Sequence, residues 1–283
     1  MTPTKEQMKL FYAQTAERCL QAYSQLDDKE WGKKASDHWS AKEHLAYTVG
    51  TLEEEMVPVA RANIVGEAVK LPGFETREDE PNFRRAVTEK LSALPVSKLL
   101  SRLRAAYEDH ARILEGLSDA DLDRKAVNPG WDREGTLRDH FVQAYLLLVN
   151  QYQEIRRVNK KKLPHWMQGI PPERVHYHID RLLYYMPLIF RSNDAADMKV
   201  IYQFTMEGDG GGQWSMRIGD GRADTAEGAA DPHDCEIKTK PALWMDLASG
   251  DLSPPIAIMT RKVKLGGNVG LAMKLSGLFG NTG

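Results

Sequence analysis

The side chains that could do chemistry in this 283-residue chain are few and scattered. His110 falls within the apolar stripe Leu99, Leu103, Ala106, His110, Ile113 and Leu117, where a lone imidazole is more often a hydrogen-bonded core group than a ligand. His176 and His178 stand two apart, which on a helix turns them in different directions, so they should not chelate together. Glu53, Glu54 and Glu55 read as an exposed helical face rather than an acid–base pair. The run "GDGGG" at 208–212 lacks the Gly-Lys-Ser/Thr ending of a phosphate loop and sits in a hairpin pattern, so it is a turn. No G-x-S-x-G or H-E-x-x-H occurs. Cys19 and Cys235 are too few and too far apart for a disulfide framework or a thiolate metal site.

The legible chemistry is hydrophobic. The stretch "GDLSPPIAIMTRKVKLGG" at 250–267 places two prolines before an apolar segment, then alternates basic and aliphatic residues and closes on paired glycines. Such a segment is predicted to line a cavity for a greasy ligand.

Composition bounds what could surround it. With 42% hydrophobic and 28% charged residues the chain has the profile of a folded protein. A net charge of −2 argues against nucleic acid, whose binders carry a basic excess. Apolar runs such as "AYLLLV" fall far short of the roughly 20 residues of a membrane span. The start "MTPTKEQMKL" lacks the apolar region of a secretory signal. The expected location is the cytoplasm, with reduced thiols.

Two halves obey different periodicities. Up to about 158 the apolar positions recur at three and four: Leu45, Val49, Leu52, Met56, Ala60; the stripe around His110; and Leu137, Phe141, Ala144, Leu148, Tyr152, Ile155. With "EQMKLFYAQTAERCLQAY" these predict four long helices in a bundle. Ser40 with Glu43, and Thr136 with Asp139, read as capping boxes. A charged, proline-bearing stretch, "RRVNKKKLPHWMQGIPPE", follows. Beyond it one helix leads into short alternating segments split by glycine-rich or Asp-Pro turns, then helical patterns return. The expected fold class is multidomain: an N-terminal all-α four-helix bundle (1–160), a linker (161–173), and a C-terminal α+β domain (174–283) with a five-stranded sheet and helices on one face.

From about 175 to 279, "VIYQFTMEGDGGGQWSMRIGDGRADTAEGAADPHDCEIKT" followed by "ALWMDLASGDLSPPIAIMTRKVKLGGNVGLAMKLSGLF" resembles the sterol carrier protein type 2 family. That resemblance implies an apolar tunnel for a fatty acyl chain, acyl-CoA or a sterol-like molecule. Its lining is expected from Phe204, Trp214, Trp244, Leu247, Ile256, Ile258, Met259, Leu271, Met273 and Leu275.

The helix starts "WSAKEHLA" and "WDREGTLRDH" resemble the DinB-like superfamily, many of whose members hold a divalent metal through three side chains facing the bundle axis. Those positions fall here on Tyr47, Gln143 and Leu147, and leucine cannot be a ligand. His44 and His140 lie three residues earlier, beside the apolar stripes, and are expected on the solvent flank or near the caps. A shifted site built from His44, His110 and His140 is the one remaining way to hold a metal; none is expected, and no cofactor. The order of the two domains resembles the mycothiol-dependent maleylpyruvate isomerases.

The expected function is that of a lipid carrier or sensor, with the bundle as a structural or dimerising module and no catalysis. The alternative is a metal- and thiol-dependent isomerase or transferase. Expected partners are a hydrophobic small molecule and neither nucleic acid nor a membrane span, with transient membrane contact and a homodimer left open.

Overall fold

The computed structural model describes residues 2–35, 39–191, 195, 197–275 and 277–279. The chain divides into two compact units, Thr2–Trp166 and Met167–Gly283.

The first unit is helical. It contains α1 (Lys5–Ser24), α2 (Ala41–Thr51), α3 (Val57–Val65), α4 (Glu80–Ser92), α5 (Val96–Glu115), the single turn α6 (Asp119–Leu122) and α7 (Leu137–Val158). A π-helical turn, Leu52–Met56, joins α2 to α3. Two short strands, β1 (Lys125–Ala126) and β2 (Gly135–Thr136), pair antiparallel before α7. Helices α1, α2, α5 and α7 pack against one another as a four-helix bundle, and their predicted apolar stripes form its core. Both capping boxes form: Ser40 and Thr136 accept from the amides of Glu43 and Asp139, whose carboxylates accept in return from the cap amides. This satisfies amides that the first turn would otherwise leave unpaired.

Helix α4 was not expected. Only Thr88 and Leu91 are fully buried along "EPNFRRAVTEKLS", so its apolar signal is weak. It lies against α2 at Gly50, where a Cβ would collide with Val87. After α7, Leu163 and Trp166 are buried against the first unit, and the Tyr152 hydroxyl donates to the Pro164 carbonyl at 3.0 Å.

The second unit carries α8 (Pro172–Tyr185), β3 (Val200–Met206), β4 (Gly212–Gly219), β5 (Arg222–Glu227), β6 (Cys235–Thr239), α9 (Pro241–Ala248), α10 (Pro254–Met259), β7 (Lys264–Gly267) and α11 (Val269–Leu275). The sheet order is β5-β4-β3-β6-β7. All neighbours are antiparallel except β3 and β6, which run parallel. Alternation within each strand gives one apolar face. The register places Trp214 beside Phe204, Phe204 beside Ile237, and Ile237 beside Leu265, a single row across four strands. The chain is therefore an all-α bundle followed by an α+β unit with a five-stranded mixed sheet.

Candidate functional site

The segment at 250–267 folds as α10, a tight turn and the edge strand β7. Ser253 caps α10, and Pro254 and Pro255 fill its first turn, where a missing N–H costs nothing. Arg261 takes the left-handed conformation (φ 56°) and ends the helix. Helices α8 to α11 with β6 and β7 enclose a cavity of about 450 Å³, within the roughly 300–1,000 Å³ of small-molecule sites. The fifteen described residues that line it are all aliphatic, aromatic or proline. The one side-chain nitrogen among them, Trp244 Nε1, is buried without a hydrogen-bond partner and offers no polar surface.

Of the ten residues expected in the lining, Trp244, Leu247, Ile258, Met273 and Leu275 meet at this cavity. Phe204 and Trp214 lie in the same apolar row but behind or beside the wall. Phe204 packs edge-on beneath Trp244 at 5.2 Å, and Trp214 donates its Nε1–H to Asp180 at 2.8 Å. Leu271 lies outside the lining, its carbonyl accepting from the Tyr202 hydroxyl at 3.1 Å. Ile256 and Met259 require correction: they are 54% and 83% exposed. At about 100° per residue, a helix that aims Pro254 and Ile258 inward and buries Ala257 must turn Ile256 and Met259 away. The sequence reading missed Leu182, Met186, Ile237, Val263, Leu265 and Phe279. Ile237 and Leu265 belong to the predicted alternation; Leu182 and Met186 stand four apart on α8 and the turn after it, a spacing that could have revealed them.

The bundle places the three histidines in two separate clusters. His110 and His140 are fully buried with their Nε2 atoms 3.3 Å apart. His44 is instead held by Gln151 through Nδ1 at 3.2 Å, with Glu154 4.0 Å from Nε2. Of the two places expected for His44 and His140, the solvent flank is corrected, since they are 4% and 0% exposed, while both do stand four residues past a helix cap, Ser40 and Thr136. The glutamate trio is corrected too. The π turn carries Glu55 into the interior at 0% exposure, while Glu53 pairs with Arg102 and Glu54 with Lys90. Arg84 on α4 binds both Glu55 oxygens at 3.2 Å, contacts Glu80 at 2.6 Å and donates to the Tyr47 hydroxyl at 3.0 Å. Burial pushes the Glu55 carboxyl above its ordinary pKa, against the pull of Arg84.

Residues 191–280 match the SCP-2 sterol transfer family. The second unit carries an SCP-2 domain. Hydroxysteroid dehydrogenase-like protein 2 of Xenopus tropicalis is 32% identical over 88 residues, covering 28% of this chain and 19% of that protein. The chain thus spans about a fifth of that relative's length. The sterol carrier protein domain 2 of Helicoverpa armigera is 26% identical, covering 39% of this chain and 91% of that one, with a TM-score of 0.33. A structure of the mycothiol-dependent maleylpyruvate isomerase covers 93% of each chain with a TM-score of 0.63 at 11% identity, which is a likeness of fold.

The metal implied by the bundle's resemblance does not fit the residues present. Tyr47 accepts from a guanidinium, and Gln143 Oε1 accepts from Trp131 Nε1 at 3.0 Å and from Asn128 at 3.4 Å, while the third position is Leu147. Among the described residues no three His, Cys, Asp or Glu side chains converge as a metal would require. Where the SCP-2 domain presents an apolar cavity, the bundle fills the three metal positions with a hydrogen-bonded tyrosine, a hydrogen-bonded glutamine and a leucine.

The buried histidines make the bundle acid-sensitive. Burial holds His140 at about 4, and it drives His110 well below 6.5 with the charge of His140 adding to the effect. A depressed histidine favours the folded state fully above the unfolded value near 6.5, and that stability is lost as pH falls towards 4. For His140 alone the loss by pH 4.5 is about 2–3 kcal/mol. Urea midpoints at pH 7 and 4.5 should differ accordingly, and His140→Gln should flatten the slope; an unchanged slope in the variant refutes the assignment.

Proposed function

We propose that this chain binds a single-chain lipid, holding the hydrocarbon tail in the SCP-2 cavity with the polar head at its mouth, and that the bundle is a structural module without catalytic chemistry. The observation that carries this is that none of the fifteen described residues lining the cavity adds polar side-chain surface to it. Each Å² of apolar ligand surface removed from water contributes about 25 cal/mol, so a hydrocarbon tail is bound without directional contacts. A polar group carried deep inside finds no side-chain partner, at a cost of about 1–3 kcal/mol for a hydroxyl. This favours a fatty acyl chain over a ligand that buries its hydroxyl.

A metal- and thiol-dependent isomerase would need a cation at the bundle axis, where Tyr47 already accepts from Arg84, Gln143 already accepts from Trp131 and Asn128, and the third position is a leucine. The test is a native mass spectrum of gently purified protein, organic extraction of the same sample, and titration with a fluorescent fatty acid. Saturable, stoichiometric binding is expected. No retained lipid and no saturation would sink the proposal.

A further inference from the structure

Seven large hydrophobic side chains are conspicuously exposed among the described residues, and four of them, Ile256, Met259, Val269 and Met273, lie on the two short helices α10 and α11. Both helices wall the cavity. Met273 is half exposed and also lines the interior, so the outer apolar rim is continuous with the cavity. Ile256 and Met259 are three apart on α10, and Val269 and Met273 four apart on α11, so each pair shares a face. Residues 252–275 contain four basic side chains, Arg261, Lys262, Lys264 and Lys274, and no acidic one. None of the four forms an ion pair with a described residue, and each is exposed. Lys264 projects from the face of β7 opposite Leu265; Arg261 and Lys262 follow Met259 by two and three residues, and Lys274 adjoins Met273.

We propose that this rim docks on an anionic lipid bilayer, with Ile256, Met259, Val269 and Met273 dipping into the acyl boundary and Arg261, Lys262 and Lys274 meeting the headgroups. The pattern is that of interfacial amphipathic segments, in which apolar tips enter the membrane and cations stay at the surface. A second copy of the same patch is a poor occupant, because a two-fold contact would set its cations against their own counterparts. The proposal rests on the lipid-binding reading of the cavity, since the bilayer is where such a ligand would be loaded and released.

Sedimentation of the full chain with vesicles of phosphatidylcholine, and of phosphatidylcholine mixed with phosphatidylserine, provides the test. The wild type should partition at least tenfold more strongly to the anionic vesicles. Arg261→Gln with Lys274→Gln should weaken that partition about 25-fold, at about fivefold per basic residue removed. Met259→Asp should weaken it tenfold or more, and all of these variants should keep fatty-acid binding in solution, because none of the altered side chains lines the cavity. The proposal is overturned if the wild type ignores anionic vesicles, if the variants partition like the wild type, or if the patch captures only acidic protein or a second copy. Failure here with fatty-acid binding intact leaves the cavity reading standing. Vesicle binding without any fatty-acid binding overturns the cavity reading alone.

Discussion

Ile258→Asp is expected to lower fatty-acid affinity by 100-fold or more while the chain stays folded, and its neighbour Met259→Asp to change it by less than twofold. Ile258 lines the cavity, whereas Met259 is 83% exposed. A carboxylate at 258 would have to be desolvated by the incoming tail or take up a proton first, and among the described lining residues only the buried Trp244 Nε1 carries a side-chain donor. Two to three kcal/mol of such cost is roughly a 30- to 150-fold loss, and an ionised group costs more. Adjacent residues with opposite outcomes test helical phase as well as hydrophobicity, so a general loss of structure cannot imitate the result. Isothermal titration with the same fatty acid would read it, with circular dichroism confirming fold. Equal losses at 258 and 259, or none at either, would remove the cavity from consideration as the lipid site.

That pair also shows where sequence periodicity stops being informative. Over twenty residues, as in α5, the three-four spacing overrides any single misfit, and the predicted stripe is the core. Over the six residues of α10 every position is apolar, and only contact with distant β6, α8 and α9 decides which side is inner. The sheet face was legible because alternation needs only that one face be wet. The share of Phe204 and Trp214 in a core rather than a wall was not, since it depends on tertiary placement: β4 is two strands from β6, and Phe204 on β3, though beside Ile237, is packed against Trp244. In the bundle the capping boxes were readable from two residues each. The inward turn of Glu55 was not, because it depends on a π turn and on an arginine 29 residues away, on a helix with little apolar signal. Buried charge is the hardest feature to anticipate locally, since its partner is supplied by tertiary structure.

Arg84→Met should therefore destabilise the bundle by about 3–5 kcal/mol, the range found when one member of a buried ion pair is removed. The bidentate contact to Glu55 vanishes, the Tyr47 hydroxyl loses its donor, and Glu80 loses the cation beside it. An independent route gives a similar size. Stripped of Arg84, the fully buried Glu55 escapes desolvation by taking up a proton, and protonating an ordinary carboxyl with pKa 4.5 at pH 7 costs about 3 kcal/mol. The double variant Arg84→Met with Glu55→Leu should recover much of that loss, because apolar groups of similar volume often match a buried pair in stability. Urea unfolding of the four proteins of this cycle would measure the coupling, with far-ultraviolet circular dichroism following the helices. A single-variant cost under 1 kcal/mol, or a double variant no better than the single, would mean that the guanidinium is not holding this core together. The expected outcome would instead identify Arg84 as the bundle's resident cation, covalently tethered in a core whose remaining polar groups at Tyr47 and Gln143 are already engaged.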